Sequence, residues 1–184
     1  TVLVHGAAGG IGTSTLRLAP ALGASRVIAV VSTEDKADVA RANGATDVVL
    51  ADGFKDAVAE LTGGRGVDIV MDPVGGDRFT DSLRSLAPAG RLLVVGFTGG
   101  EIPTVKVNRL LLNNIDVVGV GWGAWTMTHP GALAEQWEGL AALLTSGTLA
   151  APQPDVYPFE QAAAAVAALE NRTARGKVVL RVRN

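Results

Sequence analysis

Val2-Leu3-Val4-His5-Gly6-Ala7-Ala8-Gly9-Gly10-Ile11-Gly12 is the stretch that decides the fold. Three apolar residues suited to a buried strand lead into seven residues that include four glycines, and a helical pattern follows at once. A glycine-rich turn between a strand and a helix lets the backbone approach a pyrophosphate, because no side chains stand in the way. The N–H groups and the positive dipole end of the helix then hold the charge. The stretch therefore predicts a dinucleotide site.

The glycine spacing fits two motifs. Read as G-x-G-x-x-G, the run is Ala7-x-Gly9-x-x-Gly12, with alanine at the first glycine position. Read as the G-x-x-x-G-x-G of short-chain dehydrogenases, it consists of Gly6, Gly10 and Gly12. The motif alone does not choose between them, and a turn that binds nothing can also need glycines for positive φ angles. The complete strand-turn-helix context favours the dinucleotide site.

Composition limits the classes of partner. The chain has 184 residues, 48% of them hydrophobic and 18% charged, which suits one domain with an ordinary core. The formal net charge is −2 and no Lys/Arg run occurs, so we expect a small-molecule partner and no nucleic acid. No stretch approaches the ~20 apolar residues that span a bilayer, so we expect no membrane partner.

Cysteine and histidine usage bears on metal sites and location. The chain has no cysteine, which excludes disulfides and thiolate ligands and is compatible with the cytoplasmic location that we expect. Its two histidines, His5 and His129, lie far apart in the sequence, so we expect no metal site. The chain begins at Thr1 inside an apolar strand pattern, and we expect it to be a piece of a longer protein.

Strands and helices alternate over most of the chain. Apolar runs that read as strands are followed by helical patterns and lie at residues 2–4, 26–31, 47–50, 67–71, 91–95 and 115–120. This alternation favours parallel pairing through right-handed crossovers. It predicts an α/β fold with a doubly wound parallel Rossmann sheet in the order 3-2-1-4-5-6 over residues 1–146. Residues 147–184 predict a C-terminal extension with an alanine-rich helix opening at Tyr157 and a strand at 177–182, which either completes the sheet or joins a neighbouring domain.

Finer details of these elements are also predicted. The pattern Ser32-Thr33-Glu34-Asp35 indicates a capping box at the start of the second helix. Leu86 shares an apolar helix face with Phe79 and Leu83, and residues 117–122 suit an edge strand. Pro20 should kink or shorten the last turn of the first helix. In such a sheet the ligand lies beyond the carboxyl ends of the strands, so one crevice should be bordered by Gly6, Ser32, Asp72, Gly96 and Gly121.

The residues after the second strand bear on which dinucleotide binds. NAD sites carry an acidic residue about 20 positions after the third glycine, and that count from Gly12 reaches Ser32. A hydroxyl there, with Lys36 one helical turn later, removes a carboxylate that would repel a 2′-phosphate and supplies a cation that binds it. NADPH is therefore the predicted cofactor. The alternative is that Ser32 only caps a helix and Lys36 is a solvated surface residue, since Glu34 and Asp35 dilute the positive potential.

Several further motifs cover essentially the whole chain. Besides the glycine turn they are Leu61-Thr62-Gly63-Gly64-Arg65-Gly66-Val67-Asp68, Asp72-Pro73-Val74-Gly75-Gly76, Leu86-Ala87-Pro88-Ala89-Gly90-Arg91, Val95-Gly96-Phe97, Val118-Gly119-Val120-Gly121-Trp122-Gly123 and Gly176-Lys177-Val178-Val179-Leu180. With them the chain resembles the cofactor-binding half of zinc-independent quinone oxidoreductases, the zeta-crystallin-like group of the medium-chain dehydrogenase/reductase superfamily.

The resemblance implies a set of cofactor contacts. Residues that would cradle the pyrophosphate are Ala8, Gly9, Gly10 and Ile11. Those that would hold the 2′-phosphate are Ser32, Lys36 and, by folding back from the end of the chain, Arg172. Val74 and Gly75 would lie near a ribose, and the nicotinamide would be flanked by Gly96, Phe97 and Gly121. One departure is Ala51, where some relatives carry a tyrosine near the adenosine phosphate, so phosphate affinity is expected to be weaker here.

The resemblance also implies an activity. We expect an NADPH-dependent reductase that transfers hydride to a quinone or an α,β-unsaturated carbonyl, with a catalytic domain that precedes this chain and to which residues 147–184 return. No catalytic residue is identified, and His5 is expected to be a structural hydrogen-bonder.

Other functions stay open beside this one. An enoyl reductase domain of a polyketide synthase is the nearest enzymatic alternative, and zinc alcohol dehydrogenases share the fold. A short-chain dehydrogenase is disfavoured because Tyr157, the only tyrosine, is followed four residues later by Gln161 instead of lysine. The non-enzymatic alternative is a nucleotide-sensing module that changes its oligomeric state. A homodimer is expected in either case if residues 117–122 pair with a second copy.

Overall fold

A computed structural model describes residues 1–183. Within them the strands and helices are β1 Val2–Val4, α1 Gly10–Ala21, β2 Val27–Val31, α2 Ala37–Ala42, β3 Asp47–Leu50, α3 Phe54–Leu61, β4 Val67–Asp72, α4 Phe79–Arg84, β5 Leu86–Val94, α5 Asn108–Asn113, β6 Asp116–Gly119, α6 Trp122–Thr128, α7 Ala132–Thr145, β7 Asp155–Pro158, α8 Ala162–Glu170 and β8 Val178–Arg181. Short 3₁₀ turns at Glu34–Lys36, Gly76–Arg78 and Phe159–Gln161 lead into α2, α4 and α8.

The first six strands form one parallel sheet. Their order is β3-β2-β1-β4-β5-β6, and every neighbouring pair is parallel. The central strand β1 places Leu3 opposite Ile28 of β2 and Val70 of β4. The predicted fold class and strand order are therefore confirmed, and the carboxyl ends of all six strands meet at one edge.

Strands β1 and β2, inside the sheet, are buried on both faces, which explains their continuous apolar sequences. In β1, Leu3 packs into one core while Val2 and Val4 pack into the other. β2 alternates in the same way, because successive side chains of a strand point to opposite faces. One core receives Phe54 and Val58 of α3 together with residues of α4, and the opposite core receives Leu16 of α1 and Ala40 of α2. Helices on both faces thus hold the strand ends in fixed positions.

The C-terminal extension forms its own small sheet. β7 pairs with β8 in parallel, with Asp155 opposite Val178. Tyr157 and Pro158, where the sequence predicted the opening of a helix, belong to strand β7 instead, and the helix starts at Ala162. Pro158 accounts for the difference, because its restricted φ angle suits an extended segment and the following turn better than a helix interior. Of the two alternatives for this segment, completion of the main sheet is wrong.

Two details of the later elements differ from the sequence prediction. Leu86 begins β5 instead of ending the face of α4, and residues 86–90 join the strand through an irregular register against β4, with Ala89 at φ +63°. β6 ends at Gly119, and Trp122 starts helix α6 instead of ending an edge strand. Both errors concern short apolar segments whose residue pattern fits a helix as well as a strand. The neighbouring elements that these segments pair or pack with decide their secondary structure.

The turn after β2 also differs from the expected capping box. No side chain caps the helix start there: Thr33 occupies the cap position of the 3₁₀ turn, but its hydroxyl accepts no hydrogen bond from a backbone N–H of that turn. Pro20 lies within the last turn of α1, which ends one residue later at Ala21. The helix therefore continues through Pro20, where the sequence predicted a kink or a shortened last turn, and the chain turns at Gly23 with φ +95°.

Among residues 1–183, we find no helix with the length and apolar character that crossing a membrane requires.

Candidate functional site

The glycine-rich turn joins β1 to α1 with its backbone exposed to the crevice. The Gly9 N–H donates to the Gly6 carbonyl over 2.9 Å, and the Thr13 N–H donates to the Gly9 carbonyl over 2.9 Å. The N–H groups of the first turn of α1 have no acceptor within the helix, because none precedes them. The first turn of α1 carries no acidic residue that would compete with an anion. This end of α1 therefore suits a phosphate group.

Two glycines make this close packing possible. Gly6 has φ +57°, a left-handed conformation that suits glycine. At Gly12 a Cβ atom would lie 2.3 Å from the Gly6 carbonyl oxygen and 2.6 Å from Ala7 Cα, so no larger residue fits. At Gly10 the nearest atom to a Cβ would be Lys177 Nζ at 3.6 Å, a cation beside the start of the helix. Gly9 and Ile11 are exposed in this turn, whereas Ala8 is buried.

The end of β2 brings the two predicted 2′-phosphate residues together. Lys36 Nζ donates to Ser32 Oγ over 3.1 Å, on the surface just beyond Val31. Asp35, which lies between them in the sequence, has its pKa lowered mainly by a hydrogen bond from the Thr33 hydroxyl, with smaller contributions from Arg175 and Lys36. This turn therefore carries one carboxylate close to two cations.

The ends of β4 and β5 form one continuous group. Asp72 is buried, and its Oδ1 accepts the N–H groups of Val74 and Gly75 at 2.9 Å each, which orders the turn after β4. Gly75 has φ +65°, and a Cβ atom there would lie 2.9 Å from Phe97 Cδ1. At Gly96 a Cβ atom would lie 3.4 Å from the Pro73 carbonyl. The residues predicted for the ribose and nicotinamide, apart from Gly121, are therefore neighbours.

The glycine turn adjoins this group. A Cβ atom on Gly6 would lie 3.3 Å from Val74 Cγ2, so the turns after β1 and β4 touch. Gly121 follows the last pairing of the sheet, in which the Val120 N–H donates to the Val94 carbonyl over 2.9 Å. It lies at the start of α6, with open space where its side chain would be. All predicted crevice residues thus follow the carboxyl ends of their strands.

A late turn of the chain, residues 172–177, crosses this edge and will be called the basic turn because it contains Arg172, Arg175 and Lys177. The Gly176 N–H donates to the Ala8 carbonyl over 2.9 Å, which fixes the basic turn to the glycine turn. Arg172, with φ +57°, donates from Nη2 to the Thr98 carbonyl at 3.4 Å, at the end of β5. Its described contacts are with that loop, not with Ser32 or Lys36.

Two cations of the basic turn were missed from sequence. Arg175 Nη2 lies 3.8 Å from Asp35 Oδ2, and Lys177 approaches Gly10 as described above. Both contacts join residues that are far apart along the chain, so the only signal in the sequence was the pair Gly176-Lys177. The tertiary fold is what brings them to the crevice.

Comparison with protein-family models decides the family. Residues 10–145, most of the six-stranded unit, match the model of the zinc-binding dehydrogenases. The chain belongs to the zinc-binding dehydrogenase family. Its relatives include quinone oxidoreductases of the medium-chain dehydrogenase/reductase superfamily, which confirms the resemblance seen in the sequence.

Three similar proteins illustrate the relationship. Quinone oxidoreductase-like protein 2 of Bos taurus is 35% identical over 182 residues, covering 98% of this chain and 52% of the relative. A 2-haloacrylate reductase of a Burkholderia species is 34% identical over 190 residues, covering 97% and 54%. The structure of Escherichia coli quinone oxidoreductase complexed with NADPH superposes with a TM-score of 0.83 at 30% identity, covering 97% and 56%.

The shared region is only part of these proteins. The chain spans about half the length of the curated relatives named above. A mycocerosic acid synthase-like polyketide synthase of Mycobacterium tuberculosis also matches, at 29% identity over 187 residues, covering 98% of the chain and 9% of that much longer protein.

His5 is a structural residue. It is fully buried, its ring meets Phe54 edge-on at 4.9 Å between centroids, and Nε2 lies 2.8 Å from Ser82 Oγ. Because Ser82 Oγ donates its proton to the Arg78 carbonyl, we assign the proton of the ring to Nε2. Burial lowers the pKa of His5 to about 4, against a smaller opposing effect of Asp72. A ring so enclosed does not reach a substrate, in agreement with the prediction.

Among residues 1–183, no three His, Cys, Asp or Glu side chains form a group that could hold a metal ion.

Proposed function

We propose that this chain binds NADPH and is the cofactor-binding part of an oxidoreductase that reduces a quinone or an α,β-unsaturated carbonyl. The observation that carries the proposal is the hydrogen bond from Lys36 to Ser32 at the end of β2. It places a cation and a hydroxyl, and no carboxylate, at the position where NAD sites carry an acidic residue. The NADPH complex of the Escherichia coli relative supports the same cofactor.

Each part of the crevice has a proposed role toward the cofactor. Ala8, Gly9, Gly10 and Ile11 would cradle the pyrophosphate, with the N–H groups of the first turn of α1 at the positive end of the helix dipole. The Gly9 N–H already donates to the Gly6 carbonyl and is not counted among the donors. Ser32 and Lys36 would bind the 2′-phosphate. The turn that Asp72 orders would position Val74 and Gly75 at a ribose. Arg172, assigned to the 2′-phosphate by resemblance, stays a prediction.

The nicotinamide end is proposed to lie along Gly96, Phe97 and Gly121. When bound, the nicotinamide supplies a hydride, and the chain orients its ring and keeps water from one of its faces. Phe97 is suited to this, since it is packed against Gly75 and still partly exposed toward the crevice. No described residue is assigned as a general acid, because His5 is buried away from the crevice.

The substrate class is proposed from the relatives. Quinone oxidoreductase-like proteins and a 2-haloacrylate reductase share this cofactor half, and quinones and haloacrylates are both electron-poor alkenes conjugated to a carbonyl group. The polyketide synthase match favours an enoyl reductase as the second candidate. In each case the substrate pocket would need a catalytic domain outside residues 1–184, to which residues 147–184 would return. Catalytic turnover by the full-length protein would separate a reductase from a nucleotide-sensing module.

We also propose a homodimer formed through β6. Among the described strands β6 pairs only with β5, so its other edge is free to pair with a second copy. The adjoining helices α6 and α7 expose an apolar surface that such a partner would cover in part, made of Trp122, Trp125, Met127, Leu133 and Trp137. Zinc independence, the absence of a nucleic-acid partner and the cytoplasmic location stay predictions from the sequence.

The cofactor assignment is tested by fluorescence titration with NADPH and NADH. Wild type should bind NADPH more tightly, and Lys36→Ala should raise the Kd for NADPH about tenfold or more, because a charge-assisted hydrogen bond contributes roughly 1.5–3 kcal/mol. The Kd for NADH should change little. Lys106→Ala is the matched control, since Lys106 precedes α5 and lies on the β5–β6 side of the sheet, away from β2. Equal affinities of wild type for the two cofactors would contradict the proposal.

A further inference from the structure

The ion pair between Arg175 and Asp35 joins two distant parts of the crevice. Asp35 belongs to the 3₁₀ turn Glu34–Lys36 at the end of β2, and Arg175 belongs to the basic turn. Their closest oxygen and nitrogen are 3.8 Å apart, and the side chains are 62% and 58% exposed. A pair so long and so accessible to water contributes little stability. It can therefore be exchanged for a stronger partner at small cost.

The backbone fixes where Arg175 can reach. Its neighbour Gly176 is hydrogen-bonded to Ala8 in the glycine turn, while its own guanidinium extends to the turn after β2. The side chain thus spans from the predicted pyrophosphate site to the predicted 2′-phosphate site. In a dinucleotide fold the adenosine ribose lies between these two points.

We infer that Arg175 is a second cation for the 2′-phosphate and that Asp35 holds it in position until the phosphate replaces the carboxylate. The inference rests on the proposed binding of NADPH. A phosphate carries about −1.5 to −2 charges and offers three acceptor oxygens, so it outcompetes a single carboxylate for a guanidinium. The planar guanidinium can also bind two of those oxygens at once. Lys36, which donates to Ser32 close by, supplies the first cation.

This assignment differs from the one that the resemblance implies. Arg172 was expected at the 2′-phosphate, but its guanidinium donates to Thr98 at the end of β5. In the sheet order, β1 and β4 separate β5 from β2. Arg175 is therefore the arginine of the basic turn that the structure places beside Asp35 and Lys36.

The experiment measures the Kd values for NADPH and NADH of Arg175→Gln. The expected result is a Kd for NADPH raised five- to tenfold with that for NADH unchanged, and Arg175→Lys should restore part of the affinity. Arg91→Gln is the matched control, because Arg91 forms a similar surface pair with Asp116 near the opposite end of the strands and should leave both values unchanged.

Asp35→Asn provides an independent test. Removing the carboxylate removes a competitor for Arg175, so the Kd for NADPH should fall two- to fivefold, and this gain should be at least halved in the Arg175→Gln background. An equal loss of NADPH and NADH binding in Arg175→Gln would mean a structural role and overturn the inference. A selective loss of NADPH binding in Arg172→Gln, without such a loss in Arg175→Gln, would also overturn the inference. If wild type binds NADPH no more tightly than NADH, the proposed NADPH binding itself is contradicted. That result differs from one in which wild type prefers NADPH but Arg175→Gln keeps the preference, which contradicts the role of Arg175 alone.

Discussion

At the residue scale, His5 links the glycine turn to the core and should make stability depend on pH. Its pKa of about 4 in the folded protein lies below the ordinary value of 6.5, because burial disfavours the charged ring. Between these pH values the unfolded chain takes up a proton that the folded chain does not. The free energy of unfolding should therefore fall as the pH is lowered, by about 2 kcal/mol between pH 6.5 and 5.

Urea unfolding at pH 6.5 and pH 5 checks this prediction. His5→Gln keeps a donor for Ser82 and cannot titrate, so its stability should change clearly less between the two pH values. His129→Gln is the control, since His129 is exposed at the end of α6 and the variant should keep the dependence of wild type. A pH dependence in His5→Gln equal to that of wild type would show that other groups cause it.

Single residues also show what the sequence could and could not predict about the site. Ser32 and Lys36 are four residues apart, so their contact followed from local geometry. The role of Gly12 followed from the motif, and the 2.3 Å approach gives its physical reason. The contact of Arg175 with Asp35 depends instead on how the last part of the chain returns to the sheet. No local pattern encodes that return.

At the element scale, strands β1 and β2 of the main sheet were predictable because they are buried on both faces and form continuous apolar runs. Prediction failed for elements whose structure depends on a neighbouring element. β7 is a strand because it pairs with β8. α6 was predicted as part of a strand, but that strand stops at Gly119. The start of β5 at Leu86 depends likewise on its register with Val67 of β4.

The free edge of β6 carries a prediction about assembly. Val118→Lys should convert the proposed dimer to a monomer, because a lysine on an edge strand opposes pairing with a second copy. Val179→Lys in β8 is the control, since both valines are 37% exposed in short strands, and it should leave the mass unchanged. Light scattering after size-exclusion chromatography gives the mass. A wild-type monomer, or a Val118→Lys dimer, would contradict assembly through β6.

At the scale of the whole molecule, the C-terminal extension is tied to the glycine-turn helix at two places. Before β7, Arg17 of α1 donates from Nη1 to the Ala151 carbonyl over 2.6 Å. Its Nε also donates to Asn43 Oδ1 over 2.6 Å. Before β8, Gly176 donates to Ala8. The sequence showed that the alternation of strands and helices stops there, but not where the extension attaches, because both anchors use backbone carbonyls that any residue supplies. These anchors place the basic turn across the crevice.

Loss of the Arg17 anchor should therefore loosen the extension more than the main sheet. Arg17→Ala removes charge-assisted hydrogen bonds at a half-buried position and should lower the free energy of unfolding by about 1–2 kcal/mol. Amide hydrogen exchange should accelerate in β7 and β8 while that of β1 and β2 changes little. Arg41→Ala is the control, because Arg41 is exposed and forms only a local pair with Asp38, so its effect should stay within about 0.5 kcal/mol. If exchange in Arg17→Ala rises equally in both sheets, Arg17 supports the main fold instead, and the basic turn must be held over the crevice by Gly176 alone.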